Sequence, residues 1–147
     1  MKEFLMELSP NLKLIKFENL TEEIIANTYT KTKTCKCNLC KKETKSVHSY
    51  YDKKIKDIPF GKKSVIINIR TKIFICRNKA CKGYLKTFKE DLEFINDYSR
   101  RTKRLDEYIL DSVVNSNSHG TETFLKKHGI KVSDTTIDRI IKKKNTK

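Results

Sequence analysis

Cys37-Asn38-Leu39-Cys40 and Cys76-Arg77-Asn78-Lys79-Ala80-Cys81 are the two stretches that decide the fold of this chain. Their spacings are C-x2-C and C-x4-C, and a lysine-rich segment with the pattern of β-strands separates them. Each short pair can form a tight turn that directs both sulfur atoms at one ion, as in a tetrahedral zinc site. The predicted zinc ligands are the four thiolates of Cys37, Cys40, Cys76 and Cys81.

The fifth cysteine leaves one alternative open. Cys35 lies two residues before Cys37, so Cys35 and Cys40 would also form a C-x4-C pair. We expect Cys35 to lie just outside the site, because a full set of ligands exists without it. Four thiolates leave no open coordination position for water, so the zinc is expected to be structural and not catalytic.

The charge of the chain is unevenly distributed. The 147 residues carry a formal net charge of +15. Residues 1–34 sum to zero, residues 35–90 carry sixteen Lys and Arg against four acidic residues, and residues 91–147 carry twelve against nine. A strongly positive field on the zinc-binding segment indicates a polyanionic partner.

The chain is expected to be soluble and cytoplasmic. It has no stretch of the ~20 apolar residues that a membrane-spanning helix needs, and nothing in it resembles a signal peptide. Thiols stay reduced in the cytosol, so paired cysteines favour a metal over disulfides.

The sequence pattern predicts an α+β protein with three parts. Residues 1–34 form a β-hairpin region, with strands at 12–17 and 23–32. Residues 35–90 form the β-rich zinc ribbon, and residues 98–147 form a helical unit. Within the ribbon, separate short strands are predicted at 46–52, 55–59, 64–69 and 73–75.

The helical unit has the order typical of a helix-turn-helix. Apolar residues recur at helical spacing in 100–115, 121–128 and 134–143, which predicts three helices. Thr121 and Ser133 are suitable N-caps of the second and third helix. Phe124 and Leu125 are expected to face inward. A short helix, a glycine turn and a capped basic helix follow the helix-turn-helix plan.

These motifs resemble the N-terminal region of insertion-sequence transposases of the ISL-three family, over roughly residues 12–143. The matching stretches are Cys37-x2-Cys40, Val47-His48-Ser49-Tyr50-Tyr51, Asp57-Ile58-Pro59, Gly61, Val65–Ile69, Phe74-Ile75-Cys76-Arg77-Asn78-x2-Cys81, Thr87-Phe88, Arg100-Arg101-Thr102-x2-Leu105 and Val132-Ser133-x-Thr135-Thr136. The resemblance implies a zinc ribbon and a helix-turn-helix that together recognise terminal inverted repeats.

The chain departs from the family in two places. The family's transposases continue into a catalytic domain in which Asp, Asp and Glu hold two divalent metals, whereas this chain ends at Lys147. We therefore expect no catalytic residues and no enzymatic activity. The family's first cysteine pair usually reads C-P-x-C-G, and here Asn38 and Lys41 occupy the Pro and Gly positions.

Twelve side chains are candidates for contact with DNA. Lysines suit phosphates, whereas Thr and Arg in the first turns of a recognition helix reach base edges, Arg with a bidentate preference for guanine. The candidates are Lys53, Lys54, Lys62, Lys63, Arg100, Arg101, Arg104, Thr135, Thr136, Arg139, Lys142 and Lys143.

The leading hypothesis is a zinc-dependent, sequence-specific module that binds double-stranded DNA, with full-length transposase or a second copy of the chain as further partners. One alternative is a stand-alone regulator or repressor of a mobile element. Another is a zinc-ribbon module that docks on RNA or protein. A metal-dependent nuclease is disfavoured, because residues 35–90 contain four dispersed acidic residues and no paired-acid motif.

Overall fold

The computed structural model describes residues 2–113 and 118–145, which form a mixed α+β fold. This confirms the predicted α+β class. None of the described helices is long and apolar enough to cross a membrane. The elements in chain order are α1 (Lys2–Leu8), β1 (Leu12–Asn19), β2 (Glu23–Thr30), β3 (Cys35–Lys36), β4 (Glu43–Thr44), β5 (Val47–Phe60), β6 (Lys63–Ile75), β7 (Thr87–Lys89), α2 (Lys103–Val113), α3 (Ser118–Lys127) and α4 (Asp134–Asn145).

The main sheet has the strand order β1-β2-β6-β5, and β7 pairs antiparallel with β6. A separate two-stranded sheet consists of β3 and β4. Buried and partly buried residues alternate along β2 and through most of β6, as expected for strands with one face on a core. The predicted hairpin of the first 34 residues is present as β1 and β2. The helix α1, which buries Leu5, was not predicted.

The four short strands predicted in the ribbon are wrong in their boundaries, because they form two long strands, β5 and β6. Pro59 does not break β5, since it lies one residue before the end of the strand. Thr71 was expected in a connection between strands, but it is buried and continues the alternation of β6. The two strands are joined at Gly61 and Lys62. Gly61 has a φ of 63°, which glycine adopts without strain.

The described residues divide into two compact units. The first unit contains residues 2–16, 27–54 and 68–93, and the second contains residues 17–26, 55–67, 94–113 and 118–145. Strands β1, β2, β5 and β6 each contribute residues to both units. The units are therefore not consecutive segments of sequence.

The core of the first unit surrounds the cysteines. Cys37 and Cys76 are buried together with Phe74 and Phe88, whose ring centroids are 6.1 Å apart. Farther along the sheet, the buried carboxylate of Glu90 accepts a hydrogen bond of 2.7 Å from the Thr30 hydroxyl. Aromatic packing thus supports the cysteine site from the side of β6 and β7.

The core of the second unit lies among the three helices. Its fully or nearly fully buried side chains are Leu105, Ile109, Leu125, Ile130, Ile137 and Ile140. Leu105 and Ile109 belong to the apolar stripe that predicted α2. Val114 and Asn115, at the end of that predicted helix, lie outside the described residues.

The helix ends agree with the prediction at one N-cap and differ at another. Ser133 is confirmed as the N-cap of α4, since its hydroxyl accepts the Thr136 N–H at 3.2 Å. Thr121 is not an N-cap, because α3 begins at Ser118 and Thr121 is buried inside that helix. Leu125 faces inward as expected. Phe124 does not: it is 46% exposed, and its ring lies 4.4 Å from that of His128.

Gly129 permits a close backbone contact in the second unit. Its φ is 78°, and a Cβ atom there would lie 2.7 Å from Ser64 N and 2.8 Å from Lys62 O. The Ile130 N–H donates to Leu125 O at 2.9 Å, which closes the C-terminal end of α3. The turn between α3 and α4 therefore packs directly on the backbone that begins β6.

Candidate functional site

Four sulfur atoms form a compact group in the first unit. The Sγ atoms of Cys37, Cys40, Cys76 and Cys81 all lie within 4.8 Å of one another. The distance from Cys37 to Cys81 is 3.9 Å, and that from Cys40 to Cys76 is 3.8 Å. Sulfur atoms ~2.3 Å from one zinc ion at the corners of a tetrahedron would be ~3.8 Å apart. The four side chains therefore fit a zinc ion.

The first cysteine pair lies in a tight turn between β3 and β4. The Cys37 N–H donates to Lys42 O at 3.0 Å, and the Lys41 N–H donates to Cys37 O at 3.0 Å. The Leu39 N–H points at Cys37 Sγ over 3.4 Å. Lys41 has a φ of 61°, a left-handed conformation that favours glycine. This explains physically why Gly suits the position in the C-P-x-C-G pattern.

The second cysteine pair follows the end of β6 directly. The Cys76 N–H donates to Lys86 O at 3.1 Å, and the Leu85 N–H donates to Cys76 O at 2.9 Å. The Gly83 N–H donates to Cys81 Sγ at 3.2 Å. Hydrogen bonds from backbone N–H groups to sulfur stabilise thiolates, which is the form that binds a metal.

Three contacts bring the cysteine pairs together. A Cβ atom on Gly83 would lie 2.9 Å from Leu39 Cδ1, so glycine lets the two turns approach closely. The Thr44 hydroxyl donates to Ile75 O at 2.9 Å, and the Ile75 N–H donates to Ser46 O at 2.9 Å. These bonds fix the segment after the first pair to the strand that carries the second.

The local electrostatics distinguish two of the thiols, those of Cys40 and Cys76. The side chain of Asn78 and the backbone N–H of Lys42 lower the pKa of Cys40 to about 6. At Cys76 the backbone N–H of Asn78 lowers the pKa, but burial and the neighbouring thiols outweigh it and raise the pKa to about 12. Four adjacent thiols cannot all ionise unless a cation lies between them. A divalent ion at their centre meets that requirement.

Cys35 is not one of the four clustered cysteines. It lies in β3, opposite Thr44, and its Sγ is 3.9 Å from Lys36 O. Burial and the nearby carboxylate of Glu90 raise the pKa of its thiol. The structure thus brings together the set that contains Cys37, and not the alternative pair of Cys35 and Cys40.

Four of the predicted DNA-contacting residues line one open cleft in the second unit, with a volume of about 640 Å³. The cleft is bounded by the loop before α2, by α2 itself and by the C-terminal half of α4. Two further cations in its lining, Lys103 and Lys144, were not among the candidates. The predicted residues in this cleft are Arg100, Arg101, Arg139 and Lys143.

Two of the candidate arginines also form internal ion pairs. Arg104 Nε donates to Asp57 Oδ1 at 2.8 Å, and its Nη2 contacts Asp57 Oδ2, while the Asp57 side chain is fully buried. Arg101 Nε lies 2.7 Å from Asp106 Oδ1, on a more exposed part of the unit. The contact of Arg104 with DNA stays a prediction. In the structure its guanidinium balances the charge of the buried Asp57 carboxylate and so stabilises the fold.

Lys62 and Lys63 line a second open cleft of the second unit, with a volume of about 1220 Å³. Lys63 Nζ donates to Asn19 Oδ1 at 2.6 Å, and Lys62 is exposed. Sequence reasoning missed three cations that line the same cleft, because they lie in the last turn of α3 and in the segment after it, and become neighbours of the β5–β6 turn only in the fold. They are Lys126, Lys127 and Lys131.

The remaining candidates lie elsewhere. Lys53 and Lys54 are in the part of β5 that belongs to the first unit. Thr135 and Thr136 occupy the first turn of α4, where the Thr136 hydroxyl lies 3.0 Å from the Ser133 hydroxyl. Lys142 is exposed near the end of α4. Within the second unit, the candidates are divided between the two clefts and other parts of the surface.

Residues 33–81 match a family model described as the zinc-finger of transposase IS204/IS1001/IS1096/IS1165. The match spans 49 of the 147 residues and includes all four clustered cysteines. No curated protein and no solved structure matches the chain. The match and the sulfur geometry together indicate a zinc-ribbon site, and the four clustered cysteines, Cys37, Cys40, Cys76 and Cys81, fit zinc binding.

Proposed function

We propose that this protein is a zinc-dependent DNA-binding module that recognises the terminal inverted repeats of a transposon. The match of residues 33–81 to a transposase zinc-finger carries the proposal. The four thiolates form a closed ligand set, which leaves no position for a reacting water. The zinc accordingly holds the fold together and is not itself a reaction site, which fits a protein that acts by binding.

The charge of the second unit supports DNA as the partner. The two open clefts described above are each lined by five or more cationic side chains. One cleft lies beside α2 and α4, and the other lies beside the turn between β5 and β6. Lys and Arg on such surfaces neutralise phosphates and release counterions. Affinity for duplex DNA should therefore fall steeply as the salt concentration rises.

The helices α3 and α4 support a helix-turn-helix arrangement. α3 ends at Lys127, Gly129 provides the turn, and α4 begins with the Ser133 cap. In this arrangement α4 is the recognition helix, and the exposed Arg139 is its best candidate for reading guanine. The zinc ribbon would contribute further contacts with DNA.

The test is a selection from random duplex DNA with zinc-loaded protein, repeated with protein treated with a chelator. We expect the zinc-loaded protein to enrich one sequence motif and the chelator-treated protein to enrich none. The selected duplex is then compared with structured RNA across a range of salt concentrations. Failure to enrich a motif, or equally tight binding of RNA, would contradict transposon-end recognition.

A further inference from the structure

The loop of residues 96–101 in the second unit is fixed at both ends. The chain segments before and after the loop are joined by a hydrogen bond, in which the Lys103 N–H donates to Phe94 O at 2.8 Å. Within it, Ser99 Oγ accepts the Arg101 N–H at 3.1 Å and donates to Arg101 O at 3.2 Å. The loop therefore presents its side chains from a defined backbone.

Tyr98 occupies an unfavourable position in this loop. The Ser99 N–H donates to Asn96 O at 3.0 Å, which makes Tyr98 the third residue of a four-residue turn. Its φ is 61°, a value that favours glycine or asparagine there. Its side chain is fully exposed, at 104% of the reference area. Packing in the fold therefore does not explain a tyrosine at this position, and strained residues often mark functional sites.

Tyr98 lies in the lining of the cleft of about 640 Å³. Three acidic residues also line this cleft, Asp97, Asp106 and Glu107, and one of them, Asp106, is paired with Arg101. The cations outnumber these acids, so the cleft has a net positive charge. The six cations are Arg100, Arg101, Lys103, Arg139, Lys143 and Lys144.

We propose that Tyr98 stacks on an unpaired base of a DNA strand whose phosphates lie in this cleft. An exposed aromatic ring beside a positively charged groove is the arrangement by which proteins hold single-stranded nucleic acid. Bases inside a duplex cover each other's faces, so only an unpaired or terminal base can offer its face to the ring. The inference rests on the proposed function and specifies which form of DNA the cleft accepts.

The fixed loop contributes to this stacking. Because the backbone around Tyr98 is held by hydrogen bonds, little conformational freedom is lost when a base packs on the ring. Stacking tolerates any base, whereas reading by α4 is sequence-specific. The protein would thus bind a junction, with the duplex on the reading helix and an unpaired nucleotide on Tyr98.

The test compares two DNA probes that differ only in an unpaired end. One is the blunt duplex obtained by selection, and the other is the same duplex with a short thymidine overhang that carries one 2-aminopurine. We expect the wild-type protein to bind the overhang probe more tightly and to quench 2-aminopurine fluorescence. Tyr98→Ala should lose roughly tenfold in affinity for the overhang probe and should lose the quenching.

Two variants separate stacking from other effects. Tyr98→Phe keeps the ring and should behave as the wild type, whereas Tyr98→Gly removes the ring and relaxes the backbone, so it should bind as Tyr98→Ala does. Phe124→Ala is the matched control, because Phe124 is an exposed aromatic residue of the same unit that does not line this cleft. Unchanged binding of the overhang probe by Tyr98→Ala would overturn the proposal.

Failure of this inference can be distinguished from failure of the proposed function. Binding of the blunt duplex by wild type and Tyr98→Ala alike, with no preference for the overhang, leaves transposon-end recognition intact and overturns the role of Tyr98. Absence of binding to any blunt duplex contradicts the proposed function. Quenching that depends on Tyr98 would still support a site for unpaired DNA.

Discussion

Arg104 on α2 and Asp57 on β5 form a two-contact ion pair in which the carboxylate is fully buried. The same carboxylate accepts a 2.7 Å hydrogen bond from the hydroxyl of Thr102, and this hydroxyl also accepts the Leu105 N–H at 3.1 Å as the cap of α2. The backbone supports the arrangement, since the Thr102 N–H donates to Lys56 O at 3.0 Å. One carboxylate therefore connects a strand, a helix cap and a guanidinium.

Arg104→Ala should lower the free energy of unfolding of the zinc-loaded protein by about 3 kcal/mol, because it leaves the buried Asp57 carboxylate without its cation. Urea unfolding followed by the helical circular dichroism signal would measure this. Arg101→Ala is the control. Its partner Asp106 is partly exposed, so the loss should stay below ~1 kcal/mol. Equal losses for both variants would contradict the central role of Asp57.

Cys37→Ser and Cys76→Ser should each abolish stoichiometric zinc binding and unfold the first unit. Zinc bound by four thiolates contributes apparent binding free energy on the order of 10–16 kcal/mol in small modules, which becomes folding free energy. Metal analysis and circular dichroism report the two effects. Cys35→Ser is the matched control and should keep one zinc per chain. Loss of zinc in Cys35→Ser would show that Cys35 is a ligand after all.

Acidification should release the zinc, with a midpoint that depends on Asn78. The folded-state pKa of Cys40 is lowered to about 6 from the ordinary thiol value of 9.0, so its thiolate stabilises the folded unit fully above pH 9. This contribution is lost as the pH falls from 9 through about 6. Because the Asn78 side chain is the largest cause of the low pKa, Asn78→Ala should move zinc release to higher pH. A zinc indicator followed during a pH titration measures the midpoint.

Asn38→Ala is the control for that titration, since Asn38 is exposed in the first cysteine turn and does not contribute to the lowered pKa of Cys40. Its midpoint should equal that of the wild type. Identical midpoints for Asn78→Ala and the wild type would show that backbone N–H groups alone hold the thiolate.

Gly129→Ala should destabilise the second unit more than Gly61→Ala does. Both glycines have positive φ, so both variants lose about 1 kcal/mol through backbone strain. Only at Gly129 would the new methyl group meet backbone atoms, at 2.7 and 2.8 Å, whereas nothing lies within 4 Å at Gly61. Thermal unfolding of the two variants isolates the steric cost, and equal melting temperatures would contradict it.

Arg139→Ala should relax the sequence preference by ~1–3 kcal/mol at one base pair, if α4 reads the major groove. Lys143→Ala should instead weaken binding to all sequences and reduce the slope of log K against log salt by ~1. Selections and salt titrations on the two variants distinguish base contact from phosphate contact. An unchanged preference in Arg139→Ala would mean that α4 is not the reading helix.

The cysteine site could be predicted because its pattern is local. The side chains of two cysteines in one tight turn can take only a few directions. The pair of Cys37 and Cys40 together with the pair of Cys76 and Cys81 supplies the four ligands of one zinc ion. The helices α2 and α4 were also predictable. The apolar stripe of Leu105 and Ile109 predicts the first, and the Ser133 cap marks the start of the second.

The features that sequence reasoning missed depend on partners far apart in the chain. Phe124 has the right spacing to face inward, but Leu125 occupies the core and Phe124 is exposed. The fixed position of Arg104 depends on Asp57, which lies in a different element. The helix α1 is too short to show a helical period. Periodicity predicts which residues could be buried, whereas the tertiary packing determines which of these residues are buried.

The left-handed backbone of Lys41 has a consequence for how sequences of this kind can diverge. A non-glycine residue at such a position costs about 1–3 kcal/mol, which would be severe in a small domain without a metal. The binding of one ion between four thiolates exceeds that cost severalfold. Zinc thereby widens the range of substitutions that the cysteine turns can accept, and drift in the turn residues need not signal loss of the site.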